Sequence, residues 1–135
     1  MEDPRFMIGQ RVERVRRIRP EDVKAFADLA DDHNPVHLDA AFAATTRFGR
    51  PVAHGMLTGS LFSGILGMEF PGPGTVYLSQ TLRFLAPVFV GDEVAVSVEL
   101  FELLPKGRAR FRTQARCGDR TVVDGEAEVL LPRLT

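Results

Sequence analysis

Residues 54–70, "HGMLTGSLFSGILGMEF", are apolar on every side of a helical wheel. Such a helix has no face to offer water, so the rest of the chain must wrap it. At roughly 14 residues it falls short of the ~18 to 20 that a membrane-spanning helix requires. Gly59, Ser63 and Gly67 recur four apart, as do Ser60 and Gly64, leaving one flank almost bare of side chains. A sheet, another helix or a ligand can press closely there. In so short a helix this spacing is not the association motif of lipid-embedded helices.

Helical patterns dominate the chain before this helix and are missing after it. Pro20 stands at a helix start with Glu21 and Asp22 in the first turn, and Val23, Phe26, Ala27 and Ala30 trace one apolar face. Pro35 disfavours helical backbone at Asn34, so this helix should stop near Asp31. Asp39 is placed to cap a second short helix over 40–48, with Gly49 ending it. Residues 11–19, where Val12, Val15 and Ile18 recur every third position, suit neither a clean strand nor a long helix.

After "PGPG" (71–74) only strands are expected. "TVYLSQTLRF" alternates with Val76, Leu78, Leu82 and Phe84 on one face, and "EVAVSVEL" with Val94, Val96, Val98 and Leu100. "RARFRTQARC" and "TVVDGEAEVLL" come next, with Gly91-Asp92, Lys106-Gly107 and Gly118-Asp119 as turns. Helices first, then a run of antiparallel strands, is an α+β order in which a curved sheet wraps the apolar helix. Residues 1–135 fit one domain, large enough to fold without a metal or a disulfide.

Seventeen basic and eighteen acidic residues leave a net charge of -1, which gives no field to attract nucleic acid or an acidic membrane. Arginines at 108, 110, 112 and 116 alternate with Ala109, Phe111, Thr113 and Ala115, the pattern of a strand with one wet face. Cys117 is alone, which suits a reducing compartment. The opening "MEDPRFMIGQ" has neither a basic nor an apolar leader region. A soluble, cytoplasmic protein is expected, with no membrane or nucleic-acid partner.

Chemistry concentrates in "ADDHNPVHLD" (30–39), which holds three aspartates and two of the three histidines; the third, His54, begins the apolar helix. A metal site would use His33 and His37, four apart, with His54. Pro35 interrupts the helix that would align the first two, and the spacing matches no standard zinc pattern, so no metal is expected. Asn34-Pro35 suits a turn. Asp31 and Asp32 at a helix C-terminus oppose its dipole, a placement most readily kept where function needs it. His54-Gly55 places unpaired N–H groups at the start of a buried helix, suited to an oxygen gaining negative charge, and Gly55 allows close approach. An acid, an imidazole and an oxyanion donor make acid–base chemistry beside a carbonyl plausible. The serines lie in no nucleophile-elbow sequence.

"DHNPVH", "RPVAHGML" and "SLFSGILG", with "VYLSQTLRFLAPVFVGDEV" after them, together resemble the MaoC-like (R)-specific enoyl-CoA hydratases from about Pro20 to Pro132. The resemblance implies a hot-dog fold, an antiparallel sheet wrapped around a long buried helix. It also implies a homodimer joined sheet edge to sheet edge, and an acyl-CoA thioester as substrate with no cofactor. Position by position it makes Asp32 and His37 the catalytic pair and Gly55 N–H the donor to the thioester carbonyl. Asn34 would order the loop, Ser63 would lie beside the pair and Leu66 would line the acyl pocket. His33 falls outside the motif, and His54 is read as structural, an anchor for its turn. Arg47, Arg50 and Arg83 lie near the motif and are candidate partners for CoA phosphates. Two rival readings share the fold: a hot-dog thioesterase and a non-catalytic acyl-CoA-binding module. The D-x-N-P-x-H loop favours hydration.

Overall fold

In the computed structural model, which describes residues 3–133, six strands form one antiparallel sheet, five of them from the strand-rich half and one, ahead of the helices, that the expected helices-first order does not include. The strands are β1 (Arg11–Arg17), β2 (Val76–Gln80), β3 (Arg83–Phe84), β4 (Glu93–Leu104), β5 (Arg108–Cys117) and β6 (Arg120–Leu130). Their order across the sheet is β1-β4-β5-β6-β2, with β3 also paired to β6. The helices are α1 (Pro20–Ala30), α2 (Pro35–Leu38), α3 (Ala40–Ala44) and α4 (Gly55–Met68).

The sheet's inner face follows from alternation. Ala109, Phe111, Thr113 and Ala115 on β5 point inward and are buried, as are Val94, Val96, Val98 and Leu100 on β4. They pack with Phe62, Ile65 and Leu66 of α4 in one apolar cluster reaching from Phe6 to Val129. The curved sheet therefore wraps α4, which is the hot-dog arrangement. On the outer face three of the four β5 arginines are matched to acids across the strands, Arg110 to Glu102 at 3.0 Å, Arg108 to Glu128 at 2.9 Å and Arg116 to Glu13 at 3.2 Å, and Arg112 lies over the Phe101 ring. Each turn expected from glycine is present, with Gly91, Gly107 and Gly118 at positive φ.

Four local readings need correction. The segment beginning at Arg11 is a strand, pairing Val12 with Val98 and Arg17 with Glu93 at the sheet's edge. One neighbour instead of two leaves Val15 exposed, which is why its pattern is poor. "TVYLSQTLRF" is two strands, because the chain crosses close over Gly125 at Thr81. A Cβ on Gly125 would lie 1.8 Å from the Thr81 carbonyl oxygen. The apolar face read for this stretch is open: Val76, Leu78 and Phe84 are each about half exposed. The helix expected over 40–48 ends at Ala44, although Asp39 caps it as foreseen, accepting from Ala41 and Phe42 N–H.

The helix α4 is not enclosed on all sides by its own chain. Leu57, Thr58, Gly59, Phe62, Ile65 and Leu66 are buried, whereas Ser60, Ser63 and Gly64 form an exposed flank. The close approach expected on the small residues occurs at the first turns, where Phe84 packs on Gly55 and Leu82 on Gly59. No helix among the described residues is long and apolar enough to cross a membrane.

Candidate active site

The helix α1 ends at Asp31, whose left-handed backbone (φ 57, ψ 37) turns the chain out of the helix. Aspartate tolerates this conformation better than most residues. Asp32 follows, its N–H donating to the Ala27 carbonyl and its carboxylate accepting from Asn34 N–H at 3.2 Å. Asn34 then caps α2, accepting from Val36 N–H at 3.1 Å, with Pro35 at the first helical position. That single turn carries His37 back towards Asp32. The sequence "DHNPVH" thus folds as two successive side-chain-capped turns, and Asn34 orders the second.

The half-buried His37 holds its Nδ1 2.6 Å from the Val52 carbonyl. A carbonyl can only accept, so Nδ1 carries the proton and Nε2 keeps its lone pair. Burial pushes the His37 pKa below the usual histidine value, opposed by the hydrogen bond to Val52 and the nearby Asp32 carboxylate, and further lowered by His54. The imidazole is therefore held neutral, one nitrogen anchored and the other able to take a proton.

His54, only 3% exposed, lies against His37 with ring centroids 3.8 Å apart. Its Nε2 donates to the Asp32 carbonyl at 3.0 Å, and its own carbonyl accepts the N–H groups of Leu57 and Thr58 at the start of α4. Gly55 and Met56 are the first residues of that helix, and their N–H groups have no intrahelical acceptor. Ligand atoms of Asp32, His37 and His54 lie within 4.8 Å of one another. His37 and His54 each commit one nitrogen to a backbone carbonyl, and the remaining His54 Nδ1 is buried without a partner among the described residues.

Two cavities, of about 460 and 570 Å³, meet at His37, Gly55 and Phe84. The first adds Asn34, Arg47 and Thr58; the second adds Asp32 and His54. The fold thus gathers Asp32, Asn34, His37 and Gly55 around two adjoining cavities. Ser63 lies on the exposed flank of α4 and Leu66 in the core, and neither lines these two cavities. His33 instead pairs with Asp28 at 3.0 Å on the surface. Of the candidate phosphate partners, Arg47 lines the first cavity, Arg50 stacks on Phe89, and Arg83 is exposed on β3. Phe84 and Thr58 were not singled out in the sequence. Phe84 sits among strand residues that alternate as a core face would. Thr58 is one of three hydroxyl residues on an otherwise apolar helix, and it is buried here without a hydrogen-bond partner among the described residues.

Comparison with known proteins bears on the family and the fold. The model of the MaoC like domain matches residues 5–123. The chain is 50% identical over 119 residues to a 3-hydroxybutyryl-CoA dehydratase from Methylorubrum extorquens, spanning 87% of this chain and 76% of the relative. It is 49% identical over 130 residues to an (R)-specific enoyl-CoA hydratase from Aeromonas caviae, spanning 93% and 95%. The solved (R)-hydratase from A. caviae involved in PHA biosynthesis superposes with a TM-score of 0.94 at 48% identity, covering 96% of this chain and all of that one. An unliganded R-hydratase from Pseudomonas aeruginosa gives 0.92, also at 48% identity, over 96% of this chain and 84% of its own. With a family model spanning most of its length, and relatives aligned nearly end to end, this chain belongs to the MaoC-like domain family.

Proposed function

We propose that the chain is an (R)-specific enoyl-CoA hydratase, a hydro-lyase that adds water reversibly to trans-2-enoyl-CoA to give (R)-3-hydroxyacyl-CoA. The observation that carries this reading is the meeting of Asp32, His37 and the Gly55 end of α4 around one space. The near-full-length likeness to the named hydratase and dehydratase relatives points the same way.

In this reading the thioester carbonyl accepts a hydrogen bond from Gly55 N–H, and α4's N-terminus stabilises the enolate-like oxygen as water adds. The water sits between the Asp32 carboxylate and His37 Nε2. Its oxygen bonds to C3, the pair takes one proton from it, and the pair returns one proton to C2 on the same face. Ligand atoms of Asp32 and His37 lie within 4.8 Å of each other, so both can serve the same face of the substrate, which favours syn addition. Such a pair typically contributes ~10²–10⁴-fold to the rate. Asn34 keeps both groups in register. No metal or cofactor takes part.

We also infer a homodimer and a cytoplasmic location. The edge strand β2 with its half-exposed Val76 and Leu78, the exposed Phe84 and Leu85, and the open flank of α4 are uncovered surfaces that a second copy would cover. Ser63 lies on that flank, so the polar role assigned to it belongs to the assembled dimer. The lone Cys117 fits a reducing compartment.

The test is purified protein with crotonyl-CoA, following the conjugated enoyl absorbance and free thiol together. Loss of absorbance without thiol supports hydration. Thiol release would make the protein a thioesterase, and no change over short and medium chains would make it a binding module.

A further inference from the structure

His54 is joined to all three groups of the proposed mechanism by three different means. It is bonded covalently to Gly55. Its Nε2–H donates to the backbone carbonyl of Asp32 at 3.0 Å, across 22 residues of chain. Its ring stacks on His37 at 3.8 Å with the planes inclined by 30°. Phe26 of α1 packs on the same ring at 4.9 Å, and His54 as a whole is 3% exposed, so the imidazole has little freedom to turn.

These contacts also fix its protonation pattern. The Asp32 carbonyl only accepts, so His54 Nε2 must carry the proton. Its Nδ1 is buried without a partner among the described residues. A ring whose only task was to fill space would not require a nitrogen pointing at Asp32. Phenylalanine would fill the same volume against Phe26 and His37.

We propose that His54 is a positioning residue: its Nε2–H and its stacked ring hold the Asp32 loop, His37 and the Gly55 N–H in one fixed arrangement. This rests on the hydratase reading above. A turn anchor would act within its own loop, whereas His54 ties the loop carrying the pair to the helix carrying the oxyanion donor. At 3% exposure it offers the cavity little surface, so it acts through its neighbours.

The test compares His54→Phe, which keeps the bulk and the stack, with His54→Gln, whose amide NH₂ can reproduce the bond to the Asp32 carbonyl. Both are purified, melted thermally and assayed with crotonyl-CoA beside the wild-type protein. His54→Phe should lose about 100-fold in kcat, the scale of a small misplacement of catalytic groups. Its KM should stay within about threefold, because substrate contacts are intact. His54→Gln should recover at least tenfold of that loss, an order-of-magnitude expectation for one restored hydrogen bond. Equal losses in the two folded variants would overturn the proposal, as would a loss carried by KM. If His54→Phe does not fold, His54→Gln decides alone: kcat within about tenfold of wild type supports positioning, and a larger loss overturns it. Wild-type protein that leaves crotonyl-CoA unchanged would instead overturn the hydratase reading, and this inference with it.

Discussion

The His37 ring is pinned between the Val52 carbonyl, 2.6 Å from its Nδ1, and the face of His54, 3.8 Å from its centroid. Neither contact involves Nε2, which remains the nitrogen able to exchange a proton with a water or a substrate. Orientation and tautomer are thus set by backbone and ring packing before any substrate arrives.

Burial lowers the His37 pKa from 6.5, so the neutral base persists to lower pH than an ordinary histidine would allow. The acid limb of kcat/KM should have its midpoint below 6.5. Stability follows the same shift. The unfolded chain binds the extra proton first, so this residue's contribution to stability falls as pH drops below 6.5 and levels off under the folded value. A pH–rate profile with crotonyl-CoA checks the first statement, and urea melts at several pH values check the second. An acid limb above 6.5 would mean that Asp32 dominates the environment of His37 over burial.

Two glycines should separate activity from stability. A Cβ at Gly55 would meet the Phe84 ring at 2.8 Å. A side chain can yield, so Gly55→Ala should fold yet lose ~10²-fold in rate as the carbonyl is displaced from its donor. A Cβ at Gly125 would instead sit 1.8 Å from a backbone oxygen held in the sheet, because Thr81 N–H is bonded to Glu126. Gly125→Ala should therefore cost about 3 kcal/mol or more, the upper end of overpacking penalties, in a denaturant melt.

The same contrast shows what could be read in advance. The first helix, the strands after the buried helix, the wrapped helix and the turns follow from local patterns of apolar period, proline and capping residue, whereas Asp32, Asn34 and His37 take their roles from the resemblance to the MaoC-like family. The break at Thr81 does not, because it depends on Gly125 more than 40 residues later. β1 was obscure because an edge strand need bury neither face well. His54 could be placed beside a helix start, but its stack on His37 and its bond to the Asp32 carbonyl exist only in the folded chain.

The open β2 edge should be covered by a second copy. Light scattering after gel filtration should give about twice the 14.9 kDa chain mass. Replacing Leu78 with lysine should shift the equilibrium towards single chains by placing a charge on that surface. A monomer at micromolar concentration would remove the dimer and leave Ser63 without a place in the site.

Chelation should leave turnover unchanged, since the acid–base reading routes no step through a metal at the Asp32–His37–His54 trio. Assay after dialysis against a strong chelator, with and without added zinc, checks this. Activity lost on dialysis and restored by zinc would make the trio a metal site.

The most direct measurement is hydration of crotonyl-CoA by wild type, Asp32→Asn and His37→Ala side by side, with chiral analysis of the product and a thermal melt of each variant. The account predicts (R)-3-hydroxybutyryl-CoA from the wild type and, in both folded variants, a fall of ~10²–10⁴-fold in kcat, as for loss of an acid–base group. Near-normal turnover in either folded variant, or an (S) product, would contradict the Asp32–His37 mechanism.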